Sequence, residues 1–185
     1  MNLSRRTGFT LIEILVVVSI IAILSTVLFG SFTGSLGNAD NKAAQSKLKE
    51  TQLAIELYEA QKGTYPLPNT AGACGSTSGT VLRSSDSDCP GNYILGLTPD
   101  YISSLPTITL SANTACDIEY QTDPAGTWYK LTAINCLDDS AVMSASDPLA
   151  RCPLSCGGSG ICSPTDPSAY FTSSFAVYSR GGACQ

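Results

Sequence analysis

The sequence predicts an α+β protein in which a long N-terminal α-helix packs on a small antiparallel β-sheet, with loops braced by disulfides. Three observations predict this fold. The 185-residue chain has no charged residue from Ile14 to Ala39, and residues 40–62 then repeat apolar and small side chains at helical spacing. Later segments alternate polar and apolar residues on either side of a turn, as strands of a hairpin do. All eight cysteines lie at or after Cys74, beyond the uncharged stretch.

The charge and composition exclude several classes of function. The net charge is −5 and the pI is about 4.5, without a block of basic residues, so we expect no specific binding to nucleic acid. The chain has no histidine, which excludes Ser–His and Cys–His catalysis. We therefore expect no enzyme activity and no cofactor.

The even number of cysteines after an apolar segment indicates disulfides formed in an oxidising compartment. Zinc is the alternative, but the cysteine spacing lacks paired CxxC motifs and histidine ligands are absent. Two disulfides are predicted from position: Cys74 with Cys89 across a loop, and Cys116 with Cys136 at the open end of a hairpin. No partner is predicted for the remaining cysteines, Cys152, Cys156, Cys162 and Cys184.

Residues 1–8 read as a short basic leader, and residues 9–39 as a hydrophobic membrane or filament-core segment. The leader contains Arg5 and Arg6 and no acid, which should hold the N-terminus in the cytoplasm. The uncharged stretch exceeds the roughly 20 apolar residues that cross a hydrocarbon core. An ordinary signal peptide, a twin-arginine signal and a plain membrane anchor are alternatives. None of the three accounts for Glu13.

Glu13 is an acid inside an otherwise apolar helix, and such a residue is a functional hypothesis by default. If the chain is cut after Gly8, the new N-terminus is the amine of Phe9. Phe9 and Glu13 are then four residues apart, on one face of the helix. The amine could neutralise the carboxylate within one subunit or between neighbours.

The segment from Gly8 to Val18, with Phe9 after the glycine and Glu13 four residues later, resembles the prepilin-type signal of type IV pilins and pseudopilins. It is most similar to a type IVa pilin-like subunit. The resemblance implies cleavage between Gly8 and Phe9 by a prepilin peptidase and N-methylation of Phe9. It also implies that Glu13 docks onto the N-terminus of a neighbouring subunit during assembly.

One position departs from the type IVa pattern, in which a proline bends the helix near the twenty-second mature residue. Gly30 occupies that position, and Gly34 and Gly37 follow it. Each glycine costs about 1 kcal/mol in a helix interior. We therefore expect flexibility at these glycines and a weak or interrupted helix between Gly30 and Asn38.

Residues 40–62 form the amphipathic half of the helix. Asn38 or Asp40 is a plausible N-cap for it, and Gly63 should end it. A stripe of apolar and small residues should pack on the sheet, with three further residues widening it. The stripe is Ala44, Leu48, Thr51, Ile55 and Tyr58, and the widening residues are Leu53, Leu57 and Ala60.

Residues 63–185 are the predicted disulfide-rich β head. Residues 117–120 and 128–134 are strands joined by the turn Asp123–Gly126, and residues 171–179 are a further strand. Residues 67–92 read as a loop rich in Gly, Ser, Thr and Asp, and residues 97–102 as a short helical turn. The Gly-Thr-Tyr-Pro at 63–66 and the Tyr101, Ile102, Leu105 and Pro106 pattern add to the resemblance to pilins.

The resemblance implies a structural subunit of a bacterial type IV pilus. Its partners would be copies of itself and other pilins, the prepilin peptidase and the inner-membrane assembly machinery. The precursor would sit in the inner membrane and the mature chain in an extracellular pilus. The alternatives are a pseudopilin of a type II secretion or DNA-uptake machine, and a membrane-anchored adhesin or binding protein that does not polymerise. No metal is expected. Calcium at Asp138 and Asp139 is the alternative, although calcium needs about 6–8 converging oxygens.

Overall fold

The computed structural model describes residues 9–69, 81–85, 91–108, 116–137, 147–150 and 171–183, without the side chains of residues 27–38. The chain divides into two compact units, Met1–Gly37 and Asn38–Gln185. In chain order, the described elements are helix α1 (Leu11–Lys62) and strands β1 (Val81–Arg83), β2 (Asp117–Thr122), β3 (Tyr129–Ile134) and β4 (Phe175–Tyr178). A single 3-10 turn, Phe171–Ser173, precedes β4.

Helix α1 is continuous from Leu11 to Lys62. The predicted interruption between Gly30 and Asn38 is therefore wrong for the backbone, and neither Asn38 nor Asp40 caps a second helix. A glycine lowers helix propensity, but propagation from helical residues on both sides needs no new nucleus, so an existing helix can run through it. The flexibility of Gly30, Gly34 and Gly37 stays a prediction.

In the second unit, one face of α1 lies in the hydrophobic core. Ala44, Leu48, Thr51 and Ile55 are all buried, which confirms the predicted stripe, and Tyr58 packs against the core at its edge. The prediction that three further residues widen this buried stripe is wrong. Leu53, Leu57 and Ala60 are exposed, because a straight helix presents only one side to the sheet and these three residues face away from it.

Helix α1 ends at the predicted glycine. Gly63 has a φ of 79°, a left-handed conformation that favours glycine, and its amide donates to the Glu59 carbonyl at 2.7 Å. The chain then turns along the β2–β3 connection, where the Tyr65 amide donates to the Gly126 carbonyl at 2.9 Å. A Cβ at position 126 would lie 2.7 Å from the Tyr65 carbonyl oxygen. Glycine at position 126 thus allows the hairpin turn to contact the end of the helix.

The four strands form one antiparallel sheet in the order β1-β2-β3-β4. The β2–β3 hairpin is the predicted one, with Tyr120 opposite Leu131 and Leu131 opposite Val177 on β4. β4 is shorter than the predicted strand 171–179 because its first residues form the 3-10 turn. β1 was not predicted, since residues 67–92 looked like loop. It is a three-residue edge strand held by pairing to β2 rather than by its own pattern.

Both faces of the sheet are largely buried. The face toward α1 carries Ile118, Tyr120, Tyr129, Leu131 and Phe175, each fully buried. On the other face, Lys130 and Thr132 are 1% exposed and Glu119 is 8% exposed. Glu119 accepts from Arg83 Nε at 2.9 Å, which links β2 to the edge strand β1.

A tyrosine cluster fixes α1 to the sheet. The Tyr129 hydroxyl donates to Glu56 Oε1 at 2.8 Å, and the Tyr65 hydroxyl donates to Glu56 Oε2 at 3.4 Å. The two rings meet edge to face at 4.8 Å. Burial, together with the Glu56 carboxylate, raises the pKa of both tyrosines. The Tyr120 hydroxyl donates to the Pro66 carbonyl at 2.6 Å in a buried contact.

The loops of the described head are tied to the strands at several points. Cys116 and Cys136 form a disulfide across the open end of the hairpin, which confirms that predicted pair. The amide of Ala176 on β4 donates to the Leu149 carbonyl, so residues 147–150 cover that strand's edge there. The amides of Tyr101 and Ile102 both donate to the Leu97 carbonyl, which makes the predicted helical turn.

Candidate assembly site

Thr10 and Glu13 form a reciprocal cap at the start of α1. Glu13 Oε2 accepts from the Thr10 amide and from Thr10 Oγ1, both at 2.8 Å, and the Glu13 amide donates to Thr10 Oγ1 at 3.3 Å. This is a capping box, in which residues three apart satisfy each other's free donors at a helix N-terminus. Thr10 was not predicted as a functional residue. The Thr-x-x-Glu spacing before an apolar run is the signal that could have identified it.

The helix that follows exposes an apolar surface. Phe9 and Leu11 are each 83% exposed, and no exposed large apolar residue from Phe9 to Leu24 is below 48%. Monomeric soluble proteins rarely leave so much contiguous apolar surface in water. The surface comprises Phe9, Leu11, Ile12, Ile14, Leu15, Val16, Val17, Val18, Ile20, Ile21, Ile23 and Leu24.

Phe9 and Glu13 lie together on this surface. Both line one open apolar groove along the helix side, with Ile12, Val16 and Val17 among its other walls. Phe9 itself precedes α1, which begins at Leu11, so the sharing of one helix face by residues 9 and 13 stays a prediction. Glu13 is the acidic residue of the first helical turn, and its described hydrogen bonds are all to Thr10.

Within the described residues, no helix combines the length and the apolar character needed to cross a membrane. The membrane-spanning role of residues 9–39 stays a prediction.

Several predicted site residues lie outside the described ranges. These are Gly8, the calcium candidates Asp138 and Asp139, and six cysteines: Cys74, Cys89, Cys152, Cys156, Cys162 and Cys184. The described part of the chain holds no group of three or more His, Cys, Asp or Glu residues that could bind a metal ion.

The described chain thus combines a helix N-terminus that carries a glutamate in its first turn, a long exposed apolar surface and a small four-stranded antiparallel head. The family model of the prokaryotic N-terminal methylation motif matches residues 3–29. The predicted resemblance to type IV pilins and pseudopilins is confirmed.

Known proteins related to this chain fall into two groups. The type II secretion system core protein G of Aeromonas hydrophila is 32% identical over 66 residues, which are 36% of this chain and 46% of that protein. The same protein of Vibrio cholerae is 31% identical over 65 residues, 35% of this chain and 44% of that protein. The chain thus spans less than half the length of these relatives.

The second group extends into the head. The type IV major fimbrial protein FimA of Dichelobacter nodosus is 28% identical over 160 residues, which are 74% of this chain and 98% of that protein. No solved structure is significantly similar to this chain.

Proposed function

We propose that this chain is a structural subunit of a bacterial type IV pilus. A prepilin peptidase cuts the precursor between Gly8 and Phe9, and the amine of Phe9 is then methylated. The mature chain polymerises through the exposed apolar surface of α1. The single observation that carries this proposal is the position of that surface, Phe9 to Leu24, which lies within the match to the methylation motif at residues 3–29.

Glu13 acts in assembly by meeting the N-terminal amine of a neighbouring subunit. The capping box supports this role, because it holds the carboxylate at the N-terminal end of the helix, four residues from Phe9. An amine and a carboxylate that meet away from water each reduce the cost of burying the other. Before assembly, Thr10 donates to Oε2 of the carboxylate that the neighbour's amine would meet.

The location of the subunit changes when it assembles. The precursor lies in the inner membrane beside the assembly machinery, and the mature chain lies in an extracellular filament with copies of itself and other pilins. The similarity to FimA supports the pilus, because it spans nearly the whole of that protein. The chain needs no catalytic group for this role.

A pseudopilin of a type II secretion machine is the second candidate. The observation that favours it is the similarity of about a third of the chain to core protein G from several bacteria. The methylation motif at residues 3–29 does not distinguish them, because the prepilin-type signal resembles that of pilins and of pseudopilins alike. The head is therefore what separates the two candidates.

Mass spectrometry of the mature N-terminus tests the proposal. We expect a chain that begins at Phe9 and carries one added methyl group. A chain that still begins at Met1, or one cut near residue 30, would contradict the pilin assignment and favour an anchored adhesin or an ordinary secreted protein. Immunogold labelling of intact cells then separates the two candidates, since pilus filaments extend from the surface and a pseudopilus remains within the envelope.

A further inference from the structure

One side of the head-bearing part of α1 presents an apolar pair to solvent. Leu53 is 71% exposed and Leu57 is 49% exposed, while Leu48 and Ile55 on the core side are fully buried. Leu53 and Leu57 are four residues apart, so they lie on adjacent turns of one helix face. Ala60, which follows at the next helical spacing, is exposed as well.

The same face carries positive charge toward its N-terminal end. Lys42 and Lys49 are exposed and precede Leu53 by eleven and four residues, spacings that return to one side of a helix. Glu50, next to Lys49, is exposed as well, and residues 40–62 contain four basic and four acidic residues. Residues 63–185, by contrast, contain four basic and ten acidic residues. The head is therefore acidic overall, and Lys42 and Lys49 are the basic groups that the helix face offers to it.

The head offers a second exposed apolar pair, with an exposed acid five residues after one of the two leucines. Leu67 is 42% exposed and Leu95 is 46% exposed. The Leu95 amide donates to the Leu67 carbonyl at 2.9 Å, which joins the two segments that carry the leucines. Asp100 is exposed in the turn that follows Leu95. Leu53, Leu57, Leu67 and Leu95 are the exposed large apolar residues described for the second unit.

We infer that the helix face formed by Lys49, Leu53 and Leu57 binds the Leu67–Leu95–Asp100 surface on the head of a second copy of this chain. Apolar pairs would be buried against each other, and the lysine would lie against the acid. The two surfaces are different, so the contact is heterologous and leaves one free surface at each end. Such a contact can repeat along an open filament. The inference rests on the proposed function and adds a contact outside the apolar N-terminal segment.

Charge and leucine variants of the full chain test the contact in cells that assemble the wild-type filament. We expect L53S/L57S and K49E each to lower the sheared filament yield by about tenfold or more, the change that a loss of 1.4 kcal/mol per contact gives. Lys62→Glu makes the same charge change at an exposed lysine outside the surface and should assemble like wild type. K49E combined with D100K should regain filaments relative to K49E alone.

Thermal unfolding of each purified variant distinguishes a defect in folding from a defect in assembly. The midpoints should match wild type, because all these side chains are exposed, whereas L48A should lower the midpoint. Normal filament yield in L53S/L57S would overturn the inference, and so would K49E/D100K assembling no better than K49E.

Photocrosslinking from position 53 makes the test independent of pilus formation. A benzophenone amino acid at Leu53 of the full chain should give a dimer whose partner peptide comes from residues 63–108. Crosslinks only to residues 9–62, or none, would overturn the contact. If the wild type forms no filament, the proposed function fails, and this crosslink still decides whether two copies meet through these surfaces.

Discussion

Thr10 and Glu13 hold each other across the first turn of α1 through three hydrogen bonds, two to a carboxylate oxygen and one to the threonine hydroxyl. The proposed function therefore gives Glu13 two separable roles. Its carboxylate oxygen Oε2 caps the helix, and its charge would meet a neighbour's amine. A loss of assembly on replacing Glu13 by Ala would not distinguish them, because alanine removes both.

The first prediction separates capping from charge. Glu13→Gln keeps a side chain that can complete a capping box but removes the charge, so we expect α1 to begin normally while filaments are lost. Thr10→Ala removes the cap, at a cost of about 1 kcal/mol to the start of the helix, and keeps the carboxylate. Filament yield and the helical signal in circular dichroism measure the two effects. Glu13→Gln filaments at wild-type level would show that the charge has no role in assembly.

The second prediction concerns the link between α1 and the sheet. Tyr129→Phe removes the hydroxyl that donates to Glu56 at 2.8 Å and should lower the free energy of unfolding by about 1–2 kcal/mol, since a carboxylate loses a donor. Chemical denaturation of the purified chain measures this. Tyr101→Phe is the control, because its hydroxyl bonds to the Gln61 side chain at an exposed site and should have a smaller effect. Equal losses in both variants would contradict the importance of the Glu56 contact.

A third prediction is that the head unfolds in alkali. Burial raises the pKa of Tyr93, Tyr120 and Tyr129 above the ordinary value of 10.0. A group whose pKa is higher in the folded state stabilises that state fully below the unfolded pKa, and this contribution is lost as the pH rises toward the folded pKa. Stability should therefore be flat up to about pH 9 and fall above about pH 10.

Tyrosinate absorbance and near-ultraviolet circular dichroism recorded together check this alkaline transition. We expect the buried tyrosines to ionise in one step that coincides with loss of tertiary signal. Tyr93→Phe removes the hydrogen bond that the Tyr93 hydroxyl donates to the Pro106 carbonyl. If this variant folds, its alkaline transition should occur at higher pH. Ionisation of all tyrosines near pH 10, with the tertiary signal intact, would contradict the burial described here.

The fourth prediction concerns the disulfide between Cys116 and Cys136. The bonded residues are 20 positions apart, and closing a loop of that length stabilises a fold by about 3 kcal/mol. Replacing both cysteines by alanine should lower the unfolding free energy by about that amount and leave the α1 helical signal in place. Non-reducing peptide mapping should recover the 116 and 136 peptides joined. Recovery of either cysteine joined to a different partner would contradict the described pair.

The part of this protein that its sequence determines is local. The Gly-Phe-Thr-x-x-Glu start, the helical stripe from Ala44 to Ile55 and the hairpin with its turn at 123–126 each depend on residues a few positions apart. Neighbours along the chain set helical and strand periodicity directly, so these features could be predicted. The Cys116–Cys136 pair followed from the hairpin because antiparallel pairing brings the two ends together.

Only the tertiary structure decided which apolar residues of α1 face the core. Leu53 and Leu57 carry the same side chain as Leu48, and their exposure depends on where the sheet lies beside the helix. Strand β1 likewise exists because β2 offers it an edge, and Glu56 meets Tyr129 across 73 positions of sequence. Such contacts depend on how distant segments pack, and local periodicity carries no information about that packing.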